Sequence, residues 1–174
     1  MMNSQYIVRD ANPDEFTKIG ELMVKVYSQL DGFPNQEEQP NYYKTLANIG
    51  SLTEKPNTRL LIAISEGGEI GGGVVYFSDM QYYGSGGTAP QEKNAAGFRL
   101  LAVAPAARGK GIGRLLTKTC IEFAKNEKQN QVIIHSTKAM QIAWKMYEKL
   151  GFKRSEDLDF KQAELSVYGF RLML

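Results

Sequence analysis

Apolar residues recur at three- and four-residue steps in the longer stretches of this chain, and run together or alternate in several short ones; these two patterns predict its elements. Tyr6 to Arg9, "YIVR", reads as a short strand. Asn12-Pro13-Asp14-Glu15 then reads as a helix start: Asn12 caps, Pro13 fits the first helical position, and Glu15 can reach back in a capping box. Phe16, Ile19, Leu22, Met23, Val26, Tyr27 and Leu30 follow on one helical face. "DGFPNQEEQP" breaks that helix, and a weaker one runs from about Asn41, with Tyr42, Leu46 and Ile49 on one side.

"RLLIAIS" and "IGGGVVYFS" read as strands joined by "EGGE", a glycine-containing hairpin turn. Asp79 to Asn94, "DMQYYGSGGTAPQEKN", has no period; loops of this length in compact domains are functional or mobile. "GFRLLAVAP" is the next strand, stopped by Pro105. Leu115, Leu116, Cys120, Phe123 and Ala124 mark a strong third helix, and "QVIIHST" a buried strand. "AMQIAWKMYEKLG" is a fourth helix, with Met140, Ala143, Trp144 and Tyr147 on one stripe and Gly151 as its stop. "FKRSEDLDF" and "ELSVYGFRLML" supply two final strands. The order β-α-α-β-β-β-α-β-α-β-β, without repeat or linker, predicts one α/β domain over residues 1–174, a mixed sheet with helices on both faces.

Composition narrows the partners. The apolar and charged fractions, 43% and 23%, are those of an ordinary globular protein. A formal net charge of +2 and the lack of a basic stripe argue against nucleic acid, and no apolar run is long enough for a membrane helix. Cys120 is the single cysteine and His135 the single histidine, so neither an internal disulfide nor a zinc cluster is expected, and no metal. The N-terminal residues carry no signal-peptide pattern, and a cytoplasmic location is the expectation.

The stretch "RGKGIG", Arg108 to Gly113, stands between a strand and a strong amphipathic helix. Backbone N–H groups at a helix start lack intrahelical partners and, with the helix dipole, favour an anion. Glycine lets a phosphate approach, and Arg108, Lys110 and Arg114 add positive charge. A pyrophosphate suits such a cradle. A P-loop is excluded because no Ser or Thr follows Lys110, and the dinucleotide fingerprint because Gly109, Gly111 and Gly113 are spaced G-x-G-x-G. On spacing alone a glycine-softened turn remains the alternative.

"LAVAPAARGKGIGRLL" followed by "IIHSTKAMQIAWKMYEKLGF" resembles the GCN5-related N-acetyltransferase superfamily. Arg108 to Gly113 matches its Q/R-x-x-G-x-G/A acetyl-CoA motif, and "AWKMYEKLGF", Ala143 to Phe152, its A-x-x-x-Y-x-x-x-G-F segment. The likeness is specific over about Gly97 to Phe152 and consistent in order elsewhere. It implies a central mixed, mostly antiparallel sheet of about six to seven strands, splayed at the middle, with four helices on both faces. It implies acetyl-CoA as co-substrate in that splay, with the backbone of Leu101, Ala102 and Val103 along the pantetheine arm. Arg108, Gly109, Lys110, Gly111, Ile112, Gly113 and Arg114 would hold the pyrophosphate. Tyr147 would be the general acid that protonates the departing thiolate, a role a phenol can fill; a packed core tyrosine is the alternative. Pairing through the final strands, giving a homodimer, is common among such proteins.

The implied reaction is transfer of acetyl to a primary amine, on a small molecule or a protein, by direct attack. A non-catalytic acyl-CoA sensor and a transferase of longer acyl groups are the alternatives. The strand glutamate that serves many relatives as base has no counterpart, since Ala95, Ala96 and Gly97 occupy its neighbourhood. Glu37, Glu38, Asp79 and Glu92, or a water chain, are unranked candidates. For the acceptor, the resemblance directs attention to "DGFPNQEEQPNYY" and the loop from Asp79 to Asn94. Glu37 and Glu38 are candidates to bind a cationic amine, and Tyr82 and Tyr83, with Tyr42 and Tyr43, to wall an apolar or aromatic part. His135 reads as a hydrogen-bonded core residue and Cys120 as inert packing.

Overall fold

A computed structural model describes residues 5–174. Their chain order is β1 (Tyr6–Asp10), α1 (Phe16–Ser28), α2 (Pro40–Ala47), β2 (Thr58–Ser65), β3 (Ile70–Phe77), β4 (Ala95–Val103), α3 (Ile112–Asn126), β5 (Gln131–Ser136), α4 (Gln141–Lys149), β6 (Lys153–Arg154), β7 (Phe160–Gln162) and β8 (Leu165–Met173). The eight strands form a sheet in the order β1-β2-β3-β4-β5-β8-β6, with β7 paired to β8. Every pairing is antiparallel except β4 with β5, which the α3 crossover makes parallel.

The predicted helices appear for the reasons their sequences suggest. Asn12 N–H donates to the Glu15 carboxylate at 2.8 Å, closing the turn that leads into α1. Ile19, Met23 and Tyr27 of α1 and Tyr43 and Leu46 of α2 pack on one face of the sheet, against Leu60, Ile62, Val75 and Phe77. Leu116, Cys120 and Ala124 of α3 and Tyr147 of α4 pack on the other, against Leu61, Val74, Phe98 and Ile134. The helix α4 ends in a Schellman arrangement: Phe152 N–H donates to Tyr147 O and Gly151 N–H to Glu148 O, both at 3.0 Å, with Gly151 at φ 102°.

Two segments differ from the sequence expectation. "FKRSEDLDF" is not one strand but two short ones, interrupted by a 3₁₀ turn over Glu156–Leu158. Leu158 in that turn is fully buried in the core, and the chain leaves the sheet to deliver it there. The long loop from 79 to 94 is pinned rather than free. It holds 3₁₀ turns at Met80–Tyr82 and Ala89–Gln91. Arg171 of β8 pairs with Glu92 at 2.7 Å and also with Asp157, and Thr88 Oγ1 donates to Asp157 O at 2.9 Å. Among the described residues no helix is long and apolar enough to cross a membrane.

Candidate active site

The pairing of β4 with β5 covers only Ala95 to Gly97 against Gln131 to Ile133, although both strands run on. At the last pair a Cβ on Gly97 would lie 2.8 Å from Ile133 O, so the backbones approach there as only glycine allows. Beyond it the strands part. Leu100 supplies the bend: it sits at φ 62°, left-handed and unusual for a branched side chain, where the β3–β4 register shifts. A wedge-shaped gap opens toward the C-terminal ends of both strands.

The polar groups along this gap follow from strand alternation. Ala104 N–H donates to Gly71 O of β3 at 2.8 Å. Ala102, two residues earlier, therefore also faces β3, while Leu101 and Val103 turn their N–H and C=O toward the gap. Tyr27 Oη reaches from α1 to donate to Leu101 O at 2.9 Å. On the β5 side, Ser136 Oγ and Thr137 Oγ1 are buried and have no hydrogen-bond partner among the described residues. Orphaned hydroxyls of this kind are uncommon and call for a partner.

The glycine stretch stands at the mouth of the gap. Gly109 and Gly111 lie at φ 79° and 76°, conformations that glycine adopts without strain, and a Cβ on either would meet nothing within 4 Å. Gly111 caps α3, whose first-turn amides at Ile112, Gly113 and Arg114 precede the first N–H that bonds back into the helix, Leu115 to Gly111 O at 2.9 Å. Gly113 fronts the gap itself, its Cβ position 3.6 Å from Val103 Cγ2, 3.7 Å from Met146 Cε and 3.9 Å from Leu101 Cδ2. Arg108, Lys110 and Arg114 are exposed, and none joins an ion pair among the described residues. Open space, unspent amides and unpaired cations at one helix start fit a diphosphate group.

Tyr147 is buried in α4, its ring edge-to-face with Phe98 and Phe152. Burial raises its phenol pKa well above the ordinary value, and the nearby Tyr83 and Cys120 add to the rise. Tyr27 packs on the opposite face of the sheet, where burial raises its phenol pKa as well. Burial raises the phenols of Tyr27, Tyr83 and Tyr147, and all three keep their protons at neutral pH.

The acceptor-side candidates separate. Tyr83 is fully buried, edge-to-face with Phe77. Its hydroxyl donates to His135 Nδ1 at 3.0 Å, because His135 Nε2 must carry the proton that Leu158 O accepts at 2.9 Å. Burial pulls the His135 pKa down to about 4, and the ring is the neutral, hydrogen-bonded residue expected. Tyr82 is half-buried beside it in sequence, packed on the same core. Glu37 and Glu38 are exposed in the α1–α2 connection. Glu38 exchanges hydrogen bonds with Asn35, its carboxylate accepting from Asn35 N–H at 3.0 Å. Glu37 borders an open concavity of about 590 Å³ with Ser28, Asn35 and Gln36. Cys120 is fully buried and its thiol pKa is raised by burial, as inert packing requires.

A model of the acetyltransferase (GNAT) family matches residues 21–152, which span the wedge, the glycine mouth and α4. The chain belongs to the GNAT family of acetyltransferases. This GNAT chain is 36% identical over 64 residues to N-acetylaspartate synthetase of Danio rerio, covering 37% of the chain and 23% of that protein. It is 35% identical over 63 residues to the protein of the same name in Xenopus tropicalis, covering 36% and 23%. It thus spans about a quarter of the length of these curated relatives. Among solved structures, an acetyltransferase of the GNAT family from Staphylococcus aureus Mu50 superposes with a TM-score of 0.74 at 16% identity, over 97% of this chain and 99% of that one. The structure of yncA from Salmonella typhimurium with its cofactor acetyl-CoA gives 0.68 at 17% identity, over 98% and 95%. The mixed, mostly antiparallel sheet is therefore the family's fold.

Two features of this GNAT site escaped the sequence reading. Tyr27 looks like one more member of the apolar face of α1, and only the fold sends its hydroxyl to Leu101 O. Arg99 is a lone cation inside the apolar strand "GFRLLAV", a break in pattern that could have marked it. Its side chain lies on the α1–α2 face of the sheet, half-buried, with Nη1 donating to Tyr83 O at 2.9 Å.

Proposed function

We propose that the chain is an N-acetyltransferase that moves acetyl from acetyl-CoA to a primary amine by direct attack. The observation that carries this reading is the wedge between β4 and β5, with main-chain groups free of strand pairing on one wall and the glycine-lined start of α3 at its mouth. When bound there, acetyl-CoA supplies a thioester that an amine can attack.

The chain's own groups divide the work. Lys110 to Gly113 hold the pyrophosphate through their amides, with Arg108 and Arg114 reaching it by side chain. Leu101 and Val103 pair with the pantetheine amides along the wedge. An N–H near Val103 faces the carbonyl oxygen where negative charge grows during attack. As the new C–N bond forms and the C–S bond breaks, Tyr147 gives its proton to sulfur, and the amine nitrogen sheds one of its own. A phenol whose pKa is raised by burial stays protonated until that thiolate appears. No carboxylate of β4 faces the amine, so a water chain is the route we assign to its proton. Tyr82 and Tyr83, with Glu37 and Glu38 at the outer rim, belong to the acceptor side.

The test is direct. Calorimetry with acetyl-CoA and with CoA comes first: failure of both to bind overturns the assignment. A panel of amines with acetyl-CoA, read as free thiol, should then show turnover. Binding without turnover on any amine would leave an acyl-CoA sensor. Faster turnover with longer acyl-CoA would make the chain an acyltransferase of another chain length.

A further inference from the structure

Resting on that reading, we infer that the amine accepted here carries a carboxylate, and that Arg99, seconded by Lys55, holds it. The substrate class is a small amino acid rather than a simple amine or a polyamine.

Arg99 is placed where an acceptor must come. It projects from β4 two residues past Gly97, the last residue paired with β5, on the face covered by α1 and α2. Its guanidinium lies 5.7 Å from the Tyr83 ring centroid; its charge lowers the phenols of Tyr42 and Tyr83 against the larger rise from burial, and lowers the imidazole of His135 in the same direction as burial does. Tyr27, whose hydroxyl touches the wedge through Leu101 O, feels it too. Hydrogen-bonded to Tyr83 O and half-buried, Arg99 lies against the inner face of the sheet, not on an outer surface.

Its hydrogen bonds are largely unspent. Of five guanidinium N–H donors, one goes to Tyr83 O, and no carboxylate pairs with it among the described residues. Elsewhere in this protein half-buried arginines do have acidic partners: Arg9 with Glu15, Arg154 with Asp159 and Arg171 with Glu92. A second cation is close by. A Cβ built on Gly84 would lie 3.1 Å from Arg99 Nη1 and 3.8 Å from Lys55 Nζ, and Lys55 is likewise half-buried and unpaired among the described residues. Two neighbouring half-buried cations without a counter-ion call for an anion, and a planar fork beside a carboxylate makes the bidentate contact that lysine cannot. The same charge repels an ammonium group, so a diamine is disfavoured at this position. The ring cluster of Tyr27, Phe33 and Tyr42 and the approach of Gly32 to Ala139 Cβ, 3.7 Å from its Cβ position, bound this side and favour a small molecule.

The test uses the intact chain with acetyl-CoA and a set of small amino acids, each matched to its own carboxamide, with a diamine and a short peptide as further arms. Free amino acids should exceed their amides in kcat/KM by about tenfold or more, about 1.4 kcal/mol. Arg99→Gln should remove most of that preference while the Kd for acetyl-CoA is unchanged, and Arg99→Lys should keep part of it. Equal rates for acids and amides in the unmodified protein, a preference for the diamine, or activity on the peptide alone would each overturn the proposal, whatever the variants do. Thiol release on some amine separates these outcomes from failure of the acetyltransferase reading, in which no amine responds. If Arg99→Gln melts, the acid-against-amide comparison decides without it.

Discussion

The two sides of the wedge are built from different materials. The side we assign to the cofactor is main chain: the amides of the α3 start and the edge of β4, all within Leu101 to Arg114. The side we assign to the acceptor is side chain: Tyr27, Tyr42, Tyr83, Arg99 and Met140, gathered from five separate stretches on one face of the sheet. A main-chain site needs only the right backbone and the absence of bulk, so it tolerates many sequences around a few glycines. A site made of side chains is rewritten whenever those side chains change. The first side suits a co-substrate common to a family, the second an acceptor peculiar to one member.

The sharpest way to break the cofactor side alone is Gly113→Leu. Gly113 has helical backbone, so leucine costs no strain and raises helix propensity by up to about 1 kcal/mol. Its side chain, however, enters the space bounded by Val103, Met146 and Leu101. We expect acetyl-CoA affinity to fall by about a hundredfold or more, some 2.7 kcal/mol, with the thermal midpoint unchanged or higher. Calorimetry and a melt check both. Unchanged affinity would detach the glycine mouth from the cofactor.

That side was also the more legible in sequence, for the same physical reason. Glycine spacing, a following amphipathic helix and a preceding strand are local properties, and they make Arg108 to Gly113 a candidate anion cradle, with a glycine-softened turn as the alternative until the resemblance is added. The splay was implied by resemblance, but its cause, the left-handed Leu100, is not written in local propensity, because tertiary packing imposes it on a residue that would otherwise avoid it. The acceptor side depends on long-range geometry. Tyr27 and Leu101 are 74 positions apart, Tyr83 and His135 52, and no periodicity connects them. Tyr83 was a candidate for its place in a long loop, yet what it does, donating to His135 and shielding Arg99, needs the fold. The split of "FKRSEDLDF" was hidden too, since Leu158 reads equally well as a strand position until the core claims it.

Tyr147→Phe tests the point at which the two sides meet. The ring contacts with Phe98 and Phe152 survive, so the fold and acetyl-CoA affinity should be nearly intact. Loss of the proton donor should lower kcat by roughly 10²-fold, at the lower end for a general acid. The loss should shrink for an acyl donor whose thiol is a better leaving group, because such a sulfur needs less help. A drop in binding with unchanged kcat would instead make Tyr147 a packing residue.

The smallest effect is a pH dependence confined to the acceptor side. His135 is neutral in the folded protein, with a pKa pulled to about 4 by burial, against an ordinary value near 6.5. Between these values the unfolded chain binds more protons than the folded one, so stability falls as pH drops through that window and is fully retained above it. From pH 7.5 to 5 this single group should contribute a loss of about 2 kcal/mol. Urea midpoints at the two pH values measure the total. His135→Gln keeps a donor for Leu158 O and an acceptor for Tyr83 Oη but cannot titrate, so the variant should be less acid-sensitive than the unmodified chain by about that amount. Identical pH profiles would mean that His135 titrates alike folded and unfolded, so that at pH 5 the imidazole is charged in the folded state and Tyr83 cannot donate to its Nδ1.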